Sequence, residues 1–271
     1  MTIRFRNRMT LVFFIAAISC FMLGTFFTLY QFFAHGISLP EIYTRELSDH
    51  FLFRYNPICV FAGIFVLMVY VCLTSLIIYH SFEKTQAPDM VFFLLFLIAC
   101  LCDTSRLLVP LFEISGSFSL FLLKLGNVHL FARLLAPMAL MGNTVLSTDD
   151  FRQSTDRNSI ILIIISMFFA EIIPLNTAVI LPNFCISYGY VKAIRIFSLI
   201  ICLVSTISLF CTNRKNEYKQ IMTIGFLILC IGYTLIFYCF NIVTLAAGII
   251  FLGSGTFLYL NEVHKHYLWI D

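Results

Sequence analysis

The feature that most limits how this chain can fold is a succession of apolar runs, each about as long as a bilayer is thick. A helix needs about 20 apolar residues to cross the hydrocarbon core, and within that core only helices and closed barrels satisfy their own backbone groups. The runs are continuous and not alternating, so they predict helices. They fall at approximately 9–33, 57–80, 90–112, 118–146, 159–181, 191–211, 221–239 and 242–260. The expected fold is therefore an all-α polytopic transmembrane helical bundle of about eight spans. The last two spans divide one long stretch near Phe240-Asn241, where no charge marks the turn. Composition agrees: 61% of residues are hydrophobic and 11% charged, whereas soluble domains run near half apolar and a quarter charged. Spans and short turns occupy residues 1–271, which reads as a single membrane domain.

Arg4, Arg6 and Arg8 precede the first run. A basic start before an apolar stretch also describes a cleaved leader, but this stretch continues well past Cys20, so an uncleaved first helix is expected. Lys and Arg near span ends favour the cytoplasmic side. With the N-terminus inside, that side holds Arg4, Arg6, Arg8, Lys84, Arg152, Arg157, Arg214, Lys215, Lys219 and Lys265, against Arg45, Arg54, Lys192 and Arg195 outside. The balance places both termini in the cytoplasm and the chain in the cell membrane. In the outer loop 34–56, Ser38-Leu39-Pro40-Glu41 has capping-box spacing. Ile42, Tyr43, Leu47 and Phe51 then share a face, which predicts a short amphipathic surface helix. Ala16, Cys20, Gly24 and Thr28 on the first span, and Gly248 and Gly255 on the last, predict close helix approach. Most cysteines lie in apolar runs as packing residues; only Cys59 and Cys185 could meet near the outer surface and pair.

Ionisable residues within spans are costly and point to function by default. The third span carries Asp103 and Arg106, the fourth Lys124, His129 and Arg133, and the fifth Glu171. Asp103 lies about 13 residues from Met90, Arg133 about 13 from Leu146, and Glu171 about 12 from Ser159. At 1.5 Å per residue all three reach roughly 18 to 20 Å of depth, with Arg106 and His129 a turn further out. One buried charge network or ligand site is expected, made of Asp103, Arg106, His129, Arg133 and Glu171. Asp103 and Arg106 share a face at i, i+3. Pro174 and Asn176 interrupt backbone bonding just beyond Glu171. Lys124 points away from Arg133 near the outer end and is expected to snorkel.

The residue sets of known membrane chemistries are missing. There is no HExxH, no acidic pair for prenyl diphosphates and no Walker glycine loop, and Gly253-Ser254-Gly255 lacks the surroundings of a nucleophile elbow. No catalytic residue, metal ligand set or cofactor is indicated. Scattered basic residues at a net charge of +3 do not describe a nucleic-acid surface. The expectation is a small-solute or proton-coupled transporter, or the membrane subunit of one, whose partners are the lipid bilayer and a small charged solute or protons. The alternative is a membrane-embedded sensory or complex-assembly protein without its own output domain, working through a membrane or cytoplasmic protein partner.

Overall fold

A computed structural model describes residues 3–34, 55–83, 87, 89–111, 119–145, 155–213 and 217–268. The helices are α1 (Ile3–Ala34), α2 (Pro57–Ser81), α3 (Asp89–Asp103), α4 (Leu108–Leu111), α5 (Ser119–Val145), α6 (Thr155–Ile172), α7 (Val191–Asn213), α8 (Glu217–Phe237) and α9 (Ile242–Leu268). A 3-10 turn, Thr104–Leu107, joins α3 to α4, and the three form one apolar rod, Asp89–Leu111. The surface helix expected in the outer loop, with its Ser38-Leu39-Pro40-Glu41 start, lies outside the described residues. Seven helices are long and apolar enough to cross a membrane, all but α6 among the eight expected spans. These candidate spans suggest a multi-pass membrane protein.

Local chemistry sets the helix ends. Pro57 occupies the first turn of α2, where a missing N–H is harmless, and the Asn56 side chain accepts the Ile58 amide at 3.0 Å. Asn241 does the same for α9: its side chain accepts the Thr244 amide at 2.8 Å. That cap divides the long apolar stretch between Phe237 and Ile242, at the expected place.

Helix directions follow from the contacts. The Asn56 amide donates to the Phe240 carbonyl (2.8 Å) at one end of α2, and the Tyr70 and Thr256 hydroxyls meet at 2.9 Å further along. The Phe82 and His264 rings pack edge to face at the other end, so α2 and α9 run side by side in the same direction. The Arg6 guanidinium donates to the Phe82 carbonyl, which brings the start of α1 to the end where α9 finishes. Glycines let α8 and α9 meet backbone to backbone: a Cβ on Gly225 would lie 2.9 Å from Leu258 Cβ, and one on Gly248 would lie 2.8 Å from Ile236. A Cβ on Gly232 or Gly255 would run into the backbone of Leu252 or Leu229. The aromatic core beside this pair stacks Phe93 on Tyr259 and sets Phe96 edge-on to Tyr233. By contrast α1 is exposed along most of its length. Its packed side carries Ala17 and Gly24, the latter against Met68 and Leu107, whereas Ala16 and Cys20 of the expected stripe face outward. Cys59 and Cys185 are both buried free thiols.

The fifth expected span is corrected. The helix starts earlier, at Thr155, and stops at Ile172 instead of continuing to residue 181. Pro174 disfavours helical backbone at the residue before it. The following Leu175–Ile180 forms strand β1, antiparallel to β2 (Ile186–Tyr188), with Leu175 opposite Tyr188. The Gly189 amide closes the base of this hairpin on the Pro174 carbonyl at 2.7 Å. At its tip Phe184 takes a left-handed backbone (φ 63°), held by complete burial against Phe61. The hairpin packs on the first half of α5, where a Cβ on Gly126 would strike Leu175 at 2.8 Å.

Candidate functional site

Two arginines sit on proline-weakened turns. A proline removes the hydrogen bond to the carbonyl four residues back and crowds that carbonyl. Pro110 stands four residues after Arg106, and the chain there tightens into the 3-10 turn. The Thr104 and Ser105 hydroxyls turn inward to the Leu101 and Cys102 carbonyls, each at 2.6 Å. Pro137 stands four residues after Arg133, inside α5. The two segments, Arg106-Leu107-Leu108-Val109-Pro110 and Arg133-Leu134-Leu135-Ala136-Pro137, repeat one pattern. That short repeat was the sequence signal that links the two arginines, and charge counting alone passes over it.

The Asp103–Arg106 pair is as the i, i+3 spacing predicted: Oδ2 lies 3.3 Å from a guanidinium nitrogen, and both side chains are 1% exposed. Arg106 has a second task. Phe237 is the last residue of α8, and its carbonyl lacks an intrahelical donor. Arg106 donates to it at 3.2 Å, and Asn183 of the hairpin tip adds a long bond at 3.5 Å. The positive group thus caps the negative end of a helix dipole.

Arg133 is 3% exposed, and among the described residues no carboxylate forms an ion pair with it. Its partners are aromatic. Its guanidinium lies 4.2 Å from the Phe237 ring centre and 5.1 Å from that of Tyr238, and it donates to the Tyr238 hydroxyl at 3.1 Å. The exposed Arg195 of α7 lies over the same Tyr238 ring at 4.9 Å. Guanidinium and aromatic groups therefore alternate from buried Arg106 through Phe237, Arg133 and Tyr238 to Arg195 at the surface. Cation–π contacts of this kind contribute about 0.5–2 kcal/mol each, less than the several kcal/mol it costs to bury a charge. Among the described residues three cations face one carboxylate along this column. The Nε atoms of Arg106 and Arg133 are buried without a hydrogen-bond partner among the described residues. His129 is 2% exposed, set against the Ser105 backbone and beside Arg106.

Glu171 does not join this group. It is 48% exposed, pairs with Lys124 at 3.6 Å and accepts from Asn127 at 2.8 Å. The depth match fails because α6 begins at Thr155, so Glu171 lies 16 residues along it, whereas Arg133 lies 12 residues from Val145. A mismatch of four residues is about 6 Å. Lys124 is 72% exposed, in keeping with a snorkelling side chain. The hairpin borders the site: Tyr188 lies near Arg133 and is buried in one cluster with Leu130 of α5. The Tyr55 hydroxyl donates to the Pro182 carbonyl at 3.0 Å, and burial pushes that phenol up to about 12, so it stays a neutral donor. Among the described residues no cluster of three or more metal-ligating side chains occurs. No protein-family model, curated protein or solved structure matches the chain.

Proposed function

We propose that the protein binds a small anionic solute at Arg133, within the membrane, and serves as a transporter or as the membrane subunit of one. The observation that carries this reading is a buried guanidinium with no carboxylate in ion-pair contact among the described residues, beside an arginine that already holds Asp103, the nearby carboxylate. An ion held in this way is expensive, and an incoming anion would complete it with charge-assisted hydrogen bonds. Two further features support the reading. Both arginines lie one turn before a proline, and Arg106 also lies on a 3-10 break between helices, the kind of interruption at which membrane carriers place their solute sites. The arginine–aromatic column leads from the buried pair to exposed Arg195. The loss of Glu171 from the group weakens the proton-coupled version and favours an anion.

The same proposal includes eight crossings of the cell membrane as a helical bundle with both termini cytoplasmic. Parallel packing of α2 and α9 supports it, because the two run in one direction only if the helices between them make an even count of reversals, α6 included. At 18 residues α6 is about 27 Å long, slightly short of a core of about 30 Å, and the hairpin makes up the difference. Basic residues in the loops favour the end that holds Arg6 and His264 as the inner one.

The test is flux into vesicles that contain the purified protein. Labelled chloride, acetate and phosphate should be compared for wild type, R133M and E171Q. Uptake of one of the three by wild type and E171Q, with R133M at the level of empty vesicles, is expected. Equal uptake by R133M, or no uptake of any, overturns the transport reading.

A further inference from the structure

Away from the arginines, α2 and α9 part along one flank to leave a groove of about 290 Å³, at the small end of ligand pockets. It extends from Tyr70 on α2 to Phe82 just past its end and from Gly253 to His264 on α9, some 11 or 12 residues on each side or about 17 Å. Its rim faces outward, with Leu73, Ile77 and Phe257 49–68% exposed. Its edge at the exposed Gly253 is open: a Cβ there would meet nothing within 4 Å. Apart from Thr74 and the mutually bonded Tyr70 and Thr256 hydroxyls, the walls are apolar until the end where α1 begins, and there Ser81, Asn261 and His264 line it. The buried Nδ1 of His264 has no hydrogen-bond partner among the described residues. Arg4, Arg8, His80 and Glu83 are exposed at the same end, which also holds the Glu262–Lys265 pair, and among the described residues no carboxylate lines the groove itself.

The geometry points to a seat for one phospholipid with an anionic headgroup, its acyl chain laid between α2 and α9 and its phosphate at His264, Asn261 and Ser81. The shape is long and narrow, which suits a chain and not a compact solute. A helix of a second copy, about 10 Å across with its side chains, is too thick for it. The polar end lines the groove with donors and, among the described residues, no carboxylate. Around it the exposed Arg4 and Arg8 outnumber Glu83, since Glu262 is paired with Lys265. This matches a group that only accepts hydrogen bonds and carries negative charge. The proposal rests on the membrane-spanning reading and is independent of the anion site.

Native mass spectrometry tests it. Full-length protein is purified in detergent and equilibrated with equal amounts of phosphatidylglycerol and phosphatidylcholine of the same chain length. Wild type should retain phosphatidylglycerol in preference. G253F, which puts a ring into the open space beside Gly253, should retain both lipids about tenfold less, equivalent to about 1.4 kcal/mol. H264L should keep lipid but lose the preference. Thermal midpoints of the three proteins confirm folding. Unchanged retention in G253F, equal retention of the two headgroups by wild type, or a dimer that G253F dissociates would each overturn the assignment. Alkaline extraction of membranes separates the two failures: a protein that stays in the membrane yet retains no lipid sinks the groove alone, and one that is released sinks the membrane-spanning reading as well.

Discussion

Removing the Asp103 carboxylate should be among the most damaging single changes in the described part of the chain. In D103A the Arg106 guanidinium keeps its bond to the Phe237 carbonyl at 3.2 Å and its contact with the Cys185 thiol, and loses its only ion-pair partner among the described residues, at 1% exposure. Breaking a buried pair by deleting one member costs about 3–5 kcal/mol, because the other charge stays buried. For a chain of this size that corresponds to a fall in thermal midpoint on the order of 10 °C. Replacing both partners by apolar groups is different. D103L/R106M removes the stranded charge along with the pair, and such replacements are close to neutral. It still strips the end of α8 of its guanidinium cap, which leaves the Phe237 carbonyl with the long Asn183 bond alone, worth about 1–3 kcal/mol. Thermal unfolding in one detergent should therefore rank wild type above the double variant and the double variant well above D103A. A shift below about 2 °C for D103A, or a double variant no better than the single, would refute the account of this pair.

Other outcomes follow from the same geometry. E171Q should change stability by less than about 1 kcal/mol, because the Lys124 pair is half exposed; a loss as large as that of D103A would return Glu171 to the buried group. G232A should lower the thermal midpoint by several degrees, since its methyl group meets the backbone of Leu252; an unchanged midpoint would contradict the close α8–α9 approach. R133K should fold like wild type but bind anions at least about tenfold more weakly, because an ammonium lacks the planar fork that stacks on Phe237. Single cysteines placed at positions 2 and 270 should both resist a membrane-impermeant thiol reagent in intact cells, with one at 178 labelled; the same result at 178 as at the ends would show that α6 does not cross.

Much of the helical frame was legible because apolar runs of span length have few other solutions, and Asn241 even marks where the last run divides. The Asp103–Arg106 pair was legible for a related reason: i, i+3 spacing fixes geometry within one helix whatever surrounds it. Relations between helices were harder. Comparing depths needs the true start of each helix, and an error of four residues at Thr155 placed Glu171 beside Arg133 when it lies with Lys124. The hairpin was hidden because Leu175–Ile180 is apolar enough to extend a span; Pro174 signalled the break, but only contact with α5 at Gly126 selects strand over helix. The aromatic partners of Arg133 were also out of reach, since Phe237 and Tyr238 come from the end of α8, about a hundred residues away in sequence.

The claim that Arg133 receives an anion is tested most directly by calorimetric titration of the purified protein with chloride, acetate and phosphate. The account predicts saturable binding of at least one of them to wild type and to E171Q, and none to a folded R133M. Equal binding to wild type and R133M, or no binding to a folded wild type, would contradict it.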